Sequence, residues 1–193
     1  FSASSKVSGN TINNISGSGA ITGISTGSGT DSIYSNTINT LSTTGASLVT
    51  GIAVTAGTTK YVLRNKIYDL LANNASGTVN GISTTSATTS NIYNNIIGDL
   101  RTPIANAANP ISGINVLGGT TVNVYYNTVY LNASSSGALF GSSAITVSTS
   151  PTVTLRNNIF VNNSSVTGAG LAIAHRRTST TLTLYSSSSN NND

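Results

Sequence analysis

The chain has only four carboxylates, Asp31, Asp69, Asp99 and Asp193. Asp69 and Asp99 are the pair that could do chemistry. Each follows an asparagine by four positions, Asn65 and Asn95. In a chain that coils with that spacing, the two side chains stack in adjacent turns, on the order of 5 Å apart. Carboxylates so placed could hold Ca²⁺ or work as an acid/base or nucleophile pair. Arg64, Lys66 and Arg101 lie close in sequence and could neutralise an acidic sugar. In that enzyme reading Asp69, Asp99, Arg64 and Lys66 form the site, and Ca²⁺ belongs to it alone. The competing reading makes both aspartates turn residues or ion-pair partners of Lys66 and Arg101, with no catalytic residue and no cofactor. His175-Arg176-Arg177 is the other charged cluster. A general base there lacks a carboxylate placed to orient it, so a solvated loop edge just after the last Gly-Ile-like strand is the plainer reading. The sequence holds no phosphate-binding glycine loop, Ser/His/Asp arrangement or metal-spaced histidine pair. The Gly-Ser-Gly runs between residues 17 and 30 are turn composition.

Scarcity of charge sets the wider frame. Charged residues make up 6% of 193, against about a quarter in an ordinary domain. Ser 31, Thr 30, Asn 25 and Gly 19 supply more than half the chain. A helical bundle lacks its Glu, Lys and Leu. Without Cys there is no disulfide scaffold or zinc-cysteine site. No apolar run reaches the ~18 residues of a membrane helix, so no membrane insertion is expected. A net charge of +4, scattered except at Arg176-Arg177, makes no nucleic-acid footprint.

What must position any site is a repeat. The frame aliphatic-x-x-Asn-x-aliphatic recurs at Val7/Asn10/Ile12, Ile33/Asn36/Ile38, Val62/Asn65/Ile67, Ile92/Asn95/Ile97, Val124/Asn127/Val129 and Leu155/Asn158/Phe160. Between these fall Gly23-Ile24, Gly51-Ile52, Gly81-Ile82, Gly113-Ile114, Ala144-Ile145 and Ala172-Ile173. From each such Ile to the next Asn takes 12 or 13 residues, whereas from Asn to the next such Ile takes 14 to 19. One side of the unit is locked, and the other carries loops free to differ. Gly, β-branched residues and Asn at this density favour strands and turns over helices.

The expected fold is all-β: a parallel β-helix (β-solenoid) of about six turns of about 30 residues, three short strands per turn. The three aliphatic positions become stacked core columns, with Ile24, Ile52, Ile82, Ile114, Ile145 and Ile173 as one of them. Asn36, Asn65, Asn95, Asn127 and Asn158 are read as an internal ladder. There Asn supplies both a left-handed bend and turn-to-turn amide hydrogen bonds. The 13-residue phase selects Asn158 over its neighbour Asn157. A Thr column (Thr30, Thr59, Thr89, Thr121, Thr152) runs six residues before each ladder Asn. It is one residue wide, which makes an ice-binding face a remote alternative. Tyr34, Tyr93 and Tyr125 share the position after a core aliphatic.

These residues resemble the right-handed parallel β-helix repeat proteins of the pectate-lyase-like group. The matching frame, Ile-x-x-Asn-x-Ile followed by Gly-Ile, spans about residues 6 to 187. Val124 to Ser165 carries it most strongly. Composition and repeat style are most similar to segments of large secreted bacterial surface proteins. The resemblance implies the handedness, which the sequence alone does not, and a secreted, cell-surface location. The group includes polysaccharide lyases and glycosidases as well as adhesins, but the denser acidic clusters of its enzymes, and runs such as Asn-Thr-Asp, Asp-Asp or Gly-His-Gly, are missing here. The expectation is therefore a structural or adhesive rod segment, self-associating or continued end to end, contacting glycans through Tyr and Asn. A polysaccharide lyase or glycoside hydrolase acting on acidic glycans is the alternative. Residues 1–193 are read as one solenoid segment of a longer chain, with a seventh turn beginning at Leu182-Thr-Leu184-Tyr and a Ser/Asn-rich, poorly ordered end at 186–193.

Overall fold

The computed structural model describes residues 4–181 and 183–193. Its strands form three parallel sheets, each strand pairing with its counterpart one turn away. Sheet A contains Ser5–Ser8, Asp31–Tyr34, Thr59–Leu63, Thr89–Tyr93, Thr121–Tyr125 and Thr152–Arg156. Sheet B follows the ladder turn, with Thr11–Ile12, Thr37–Thr43, Lys66–Ala72, Ile96–Gly98, Thr128–Leu131 and Ile159–Asn162. Ile15–Gly17 and Leu100–Arg101 complete it. Sheet C holds Ile21–Thr26, Leu48–Val54, Thr78–Thr84, Ala107–Val116, Phe140–Val147 and Ala172–Arg177. The protein is a β-solenoid of about six turns.

Two expected columns stack throughout. Val7, Ile33, Val62, Ile92, Val124 and Leu155 are in register in sheet A. Ile12, Ile38, Ile67, Ile97, Val129 and Phe160 are in register in sheet B. The column in sheet C departs from expectation at its last member. Ile145 pairs with His175, and Ile173 lies opposite Ser143. The Asn-to-strand loop has no fixed length, so the sequence pair Ala172-Ile173 mimicked the motif two residues early.

The glycine of the Gly-Ile motif has a packing cause. A Cβ on Gly81 would sit 2.5 Å from the Gly113 carbonyl oxygen and 2.6 Å from Ile97 Cγ2. Gly23, Gly51 and Gly113 meet equivalent atoms. Sheets B and C approach so closely at these four turns that a side chain is excluded, whereas the next turn holds a buried Ala144 at the same position.

The ladder runs through the corner between sheets A and B. Asn95 Nδ2 donates to Asn127 Oδ1 at 2.9 Å and to the Val62 carbonyl at 2.9 Å. Asn95 N–H donates to the same Asn127 oxygen at 3.1 Å. One amide thus ties three turns together and leaves no donor idle. The pattern repeats at Asn36, Asn65, Asn127 and Asn158. It extends past the expected rungs to Asn10 at one end and Asn192 at the other.

The left-handed bend is not at the ladder residue. It falls one residue earlier, at Gly9, Ser35, Arg64, Asn94, Tyr126 and Asn157, with φ between 53° and 68°. The ladder Asn must aim its amide inward and its N–H along the axis, so the chain reverses at the residue before it. A second left-handed set, Asn14, Thr40, Asp69 and Asp99, kinks sheet B. The kink turns both Ile38 and Leu41, three apart, into the core, as it does Ile67 and Leu70.

Past the sixth turn, Leu182 lies outside the described residues. Residues 186–193 lie against the sixth turn. Asn190 N–H donates to the Leu155 carbonyl at 3.0 Å and Asp193 N–H to the Asn158 carbonyl at 3.0 Å.

Candidate functional site

Asp69 and Asp99 occupy the left-handed kinks of adjacent turns, and Arg101 binds both. Its Nη2 pairs with Asp69 Oδ1, and its Nε lies 3.1 Å from Asp99 Oδ1. Thr40 Oγ1 donates to the other Asp69 oxygen at 2.9 Å. A single guanidinium therefore spans the two carboxylates. No group of three or more metal-ligating side chains occurs among the described residues. The other two expected cations, Lys66 and Arg64, do not join them. Lys66 Nζ sits 4.9 Å from the Tyr68 ring centroid. Arg64 leaves the corner on the sheet A side, its Cζ 5.9 Å from the Tyr34 ring centroid.

Two shallow grooves flank Arg101. One, of about 240 Å³, is lined by Asp99, Leu100, Arg101, Tyr130 and Asn132. The other, of about 280 Å³, shares Arg101 and Asn132 and adds Asn73 and Ser134. Both lie in the length-variable stretch between ladder Asn and Gly-Ile.

The outer face of sheet A carries four tyrosines, Tyr34, Tyr61, Tyr93 and Tyr125. Ser8, Tyr34, Leu63, Tyr93, Tyr125 and Arg156 form one column. Lys6, Ser32, Tyr61, Asn91, Asn123 and Thr154 form the next, with Asn123 Nδ2 donating to Asn91 Oδ1 at 2.9 Å. The Thr column runs alongside, bordered by Tyr and Asn rather than a second Thr column. A cleft of about 240 Å³ opens where Lys6, Tyr34, Tyr61, Arg64 and Tyr93 meet.

Two arrangements escaped the sequence reading. Inside sheet A, Asp31 lies opposite Lys60, and the two form an ion pair with Lys60 fully buried. The signal was present: both stand five residues before a ladder Asn, in an inward column of opposite charge. At the far end, Tyr185 pairs with Val153 and packs its ring edge-on to His175, centroids 5.3 Å apart. Arg177 Cζ lies 4.8 Å from the same tyrosine ring. Burial, then the Arg177 charge, holds the His175 pKa below its ordinary value. Burial raises that of Tyr185, with Arg177 opposing. His175 is thus bonded to a tyrosine hydroxyl and faced by a cation.

Together these features define a parallel β-solenoid with an asparagine ladder and a tyrosine-bearing outer face. No family model matches the chain, and neither a curated protein nor a solved structure matches it.

Proposed function

We propose that the chain is a structural or adhesive rod segment of a secreted cell-surface or filament protein, built on the right-handed pectate-lyase-like plan and contacting glycans. The observation that carries this reading is the unbroken ladder from Asn10 to Asn192, which crosslinks successive turns through buried amides. Such a coil is stiff along its axis, and its side chains repeat at one-turn intervals. Engagement of Asp69 and Asp99 by Arg101 favours a rod over an enzyme, since an acid/base pair needs carboxylates free to exchange protons with substrate.

The ladder is also directional. Asn10 donates to Asn36, and its own Oδ1 accepts no hydrogen bond from the described residues. Each rung donates toward the next, up to Asn192. A further coil fits head to tail on this pattern, and open parallel edges favour such addition. Electron microscopy and sedimentation test the reading together with turnover assays on polygalacturonate and alginate, with and without Ca²⁺. Rods that lengthen with concentration, and no turnover, are expected. Cleavage abolished by Asp69→Ala and Asp99→Ala would overturn it.

A further inference from the structure

We infer that the cleft on the outer face of sheet A is a binding site for an acidic oligosaccharide, its sugar rings on the tyrosines and a carboxylate on Arg64. The inference rests on the glycan-contacting reading above and gives it a place and a ligand class.

The cleft's position argues first. Arg64 is held at φ 54° in the corner immediately before ladder residue Asn65. Its N–H donates to the Tyr93 carbonyl at 3.2 Å. The backbone that carries the guanidinium is therefore held from both sides, by this bond to the next turn and by the ladder bonds of Asn65. Arg64 Cζ lies 5.9 Å from the Tyr34 ring centroid, and its guanidinium donates to no side chain or carbonyl among the described residues, which leaves its fork of donors for a carboxylate.

The floor argues second. Tyr34 and Tyr93 share a column two turns apart, roughly 10 Å along the axis, a span suited to two sugar units. Tyr61 stands in the adjacent column and is 37% exposed. Tyrosine offers a flat apolar face and a hydroxyl at low entropic cost, which matches the C–H faces and hydroxyls of a pyranose.

Charge argues third. The lining includes two cations, Lys6 and Arg64, and no carboxylate. A neutral sugar leaves both without a partner, whereas an acidic sugar uses them. Single-stranded nucleic acid would also meet aromatic rings and cations. Its affinity, however, scales with the number of phosphates neutralised, and two cations in the cleft supply little of that.

Isothermal titration tests the site with hexagalacturonate, with the same hexamer fully methyl-esterified, and with oligo-dT. Hexagalacturonate is expected to bind at least tenfold more tightly than its ester and than oligo-dT, with affinity falling as salt rises. Arg64→Asn, a residue that tolerates the left-handed backbone, is expected to cost at least tenfold, and Tyr61→Ala several-fold. Circular dichroism and the urea midpoint establish that both variants are folded. Asp99→Asn, on the other side of the ladder, is expected to bind like the parent. Equal binding of acid and ester, or acid binding unchanged in Arg64→Asn and Tyr61→Ala, overturns the site while leaving glycan contact standing. Binding of neither oligomer overturns glycan contact as well. Oligo-dT binding as tightly as hexagalacturonate replaces the glycan with a general polyanion and overturns the proposal.

Discussion

Lys60 and Asp31 face each other across adjacent turns inside the solenoid, Lys60 with none of its surface exposed and the Asp31 side chain 9% exposed. Lys60 Nζ also donates to the Ser28 carbonyl at 3.3 Å. The same inward column continues as Ser90, Val122 and Val153. The fold therefore accepts an aliphatic side chain at this position and does not depend on charge.

That comparison predicts the outcome of a double-mutant cycle. Lys60→Val alone strands a buried carboxylate and should cost roughly 3–5 kcal/mol. Asp31→Val with Lys60→Val, following the column's own Val122 and Val153, should unfold in urea at or above the parent midpoint. A double variant as unstable as the single one would mean the pair is needed for packing or register.

The ladder predicts a gradient of stability. Asn95→Ala removes an acceptor from Asn65 N–H and Nδ2 and a donor from the Val62 carbonyl. Each buried group left unsatisfied costs about 1–3 kcal/mol, so a loss of roughly 3 kcal/mol or more is expected. Asn10→Ala, at an exposed rung, should cost about 1 kcal/mol or less by the same rule. Urea unfolding of the two variants compares them directly, and equal losses would rule out the ladder as a principal source of stability.

The ladder and two aliphatic columns were legible in the sequence because stacking converts the period into contact: Ile38, Ile67 and Ile97 recur because they touch. The bend one residue before each Asn was not legible. Ser35, Arg64, Asn94 and Tyr126 share a backbone angle but no side-chain chemistry, so composition carries no trace of it. Register at His175 was hidden for a related reason, since the loop before it has no fixed length. At the candidate site, Asp69 and Asp99 were correctly placed in adjacent turns. Ion pairing with Arg101 was expected as well; that one guanidinium spans both carboxylates was not legible, because it depends on the kink, which is again a backbone property.

Glycine in the Gly-Ile motif predicts a strict size limit. Gly81→Ala brings a methyl group against the Gly113 carbonyl and Ile97 Cγ2 and should cost about 1–3 kcal/mol, as overpacking does. Gly17→Ala, with nothing within 4 Å of the new carbon, should be close to neutral. Adding Ile97→Ala, which removes Cγ2, should leave the loss caused by Gly81→Ala undiminished, because the contact with the Gly113 carbonyl remains. A loss that shrinks in the Ile97→Ala background would show that the side chain sets the limit.

The His175–Tyr185 pair predicts a pH dependence confined to the last coil. The folded state lowers the His175 pKa below 6.5, so the unfolded chain binds the proton more readily. Stability from this end is then complete above about pH 6.5 and falls as pH drops from there through the depressed folded value. For Tyr185 the sign reverses: its raised pKa keeps the phenol neutral in the fold, and stability declines once pH rises above about 10. His175 is the chain's single histidine, and no other side chain type present ordinarily titrates between about pH 5 and 8. Hydrogen exchange across Ala172–Arg177 should therefore quicken as pH falls from about 7.5 to 5.5, after correction for the intrinsic rate. In His175→Gln that change should vanish. Acceleration persisting in the variant would move the acid sensitivity to another group.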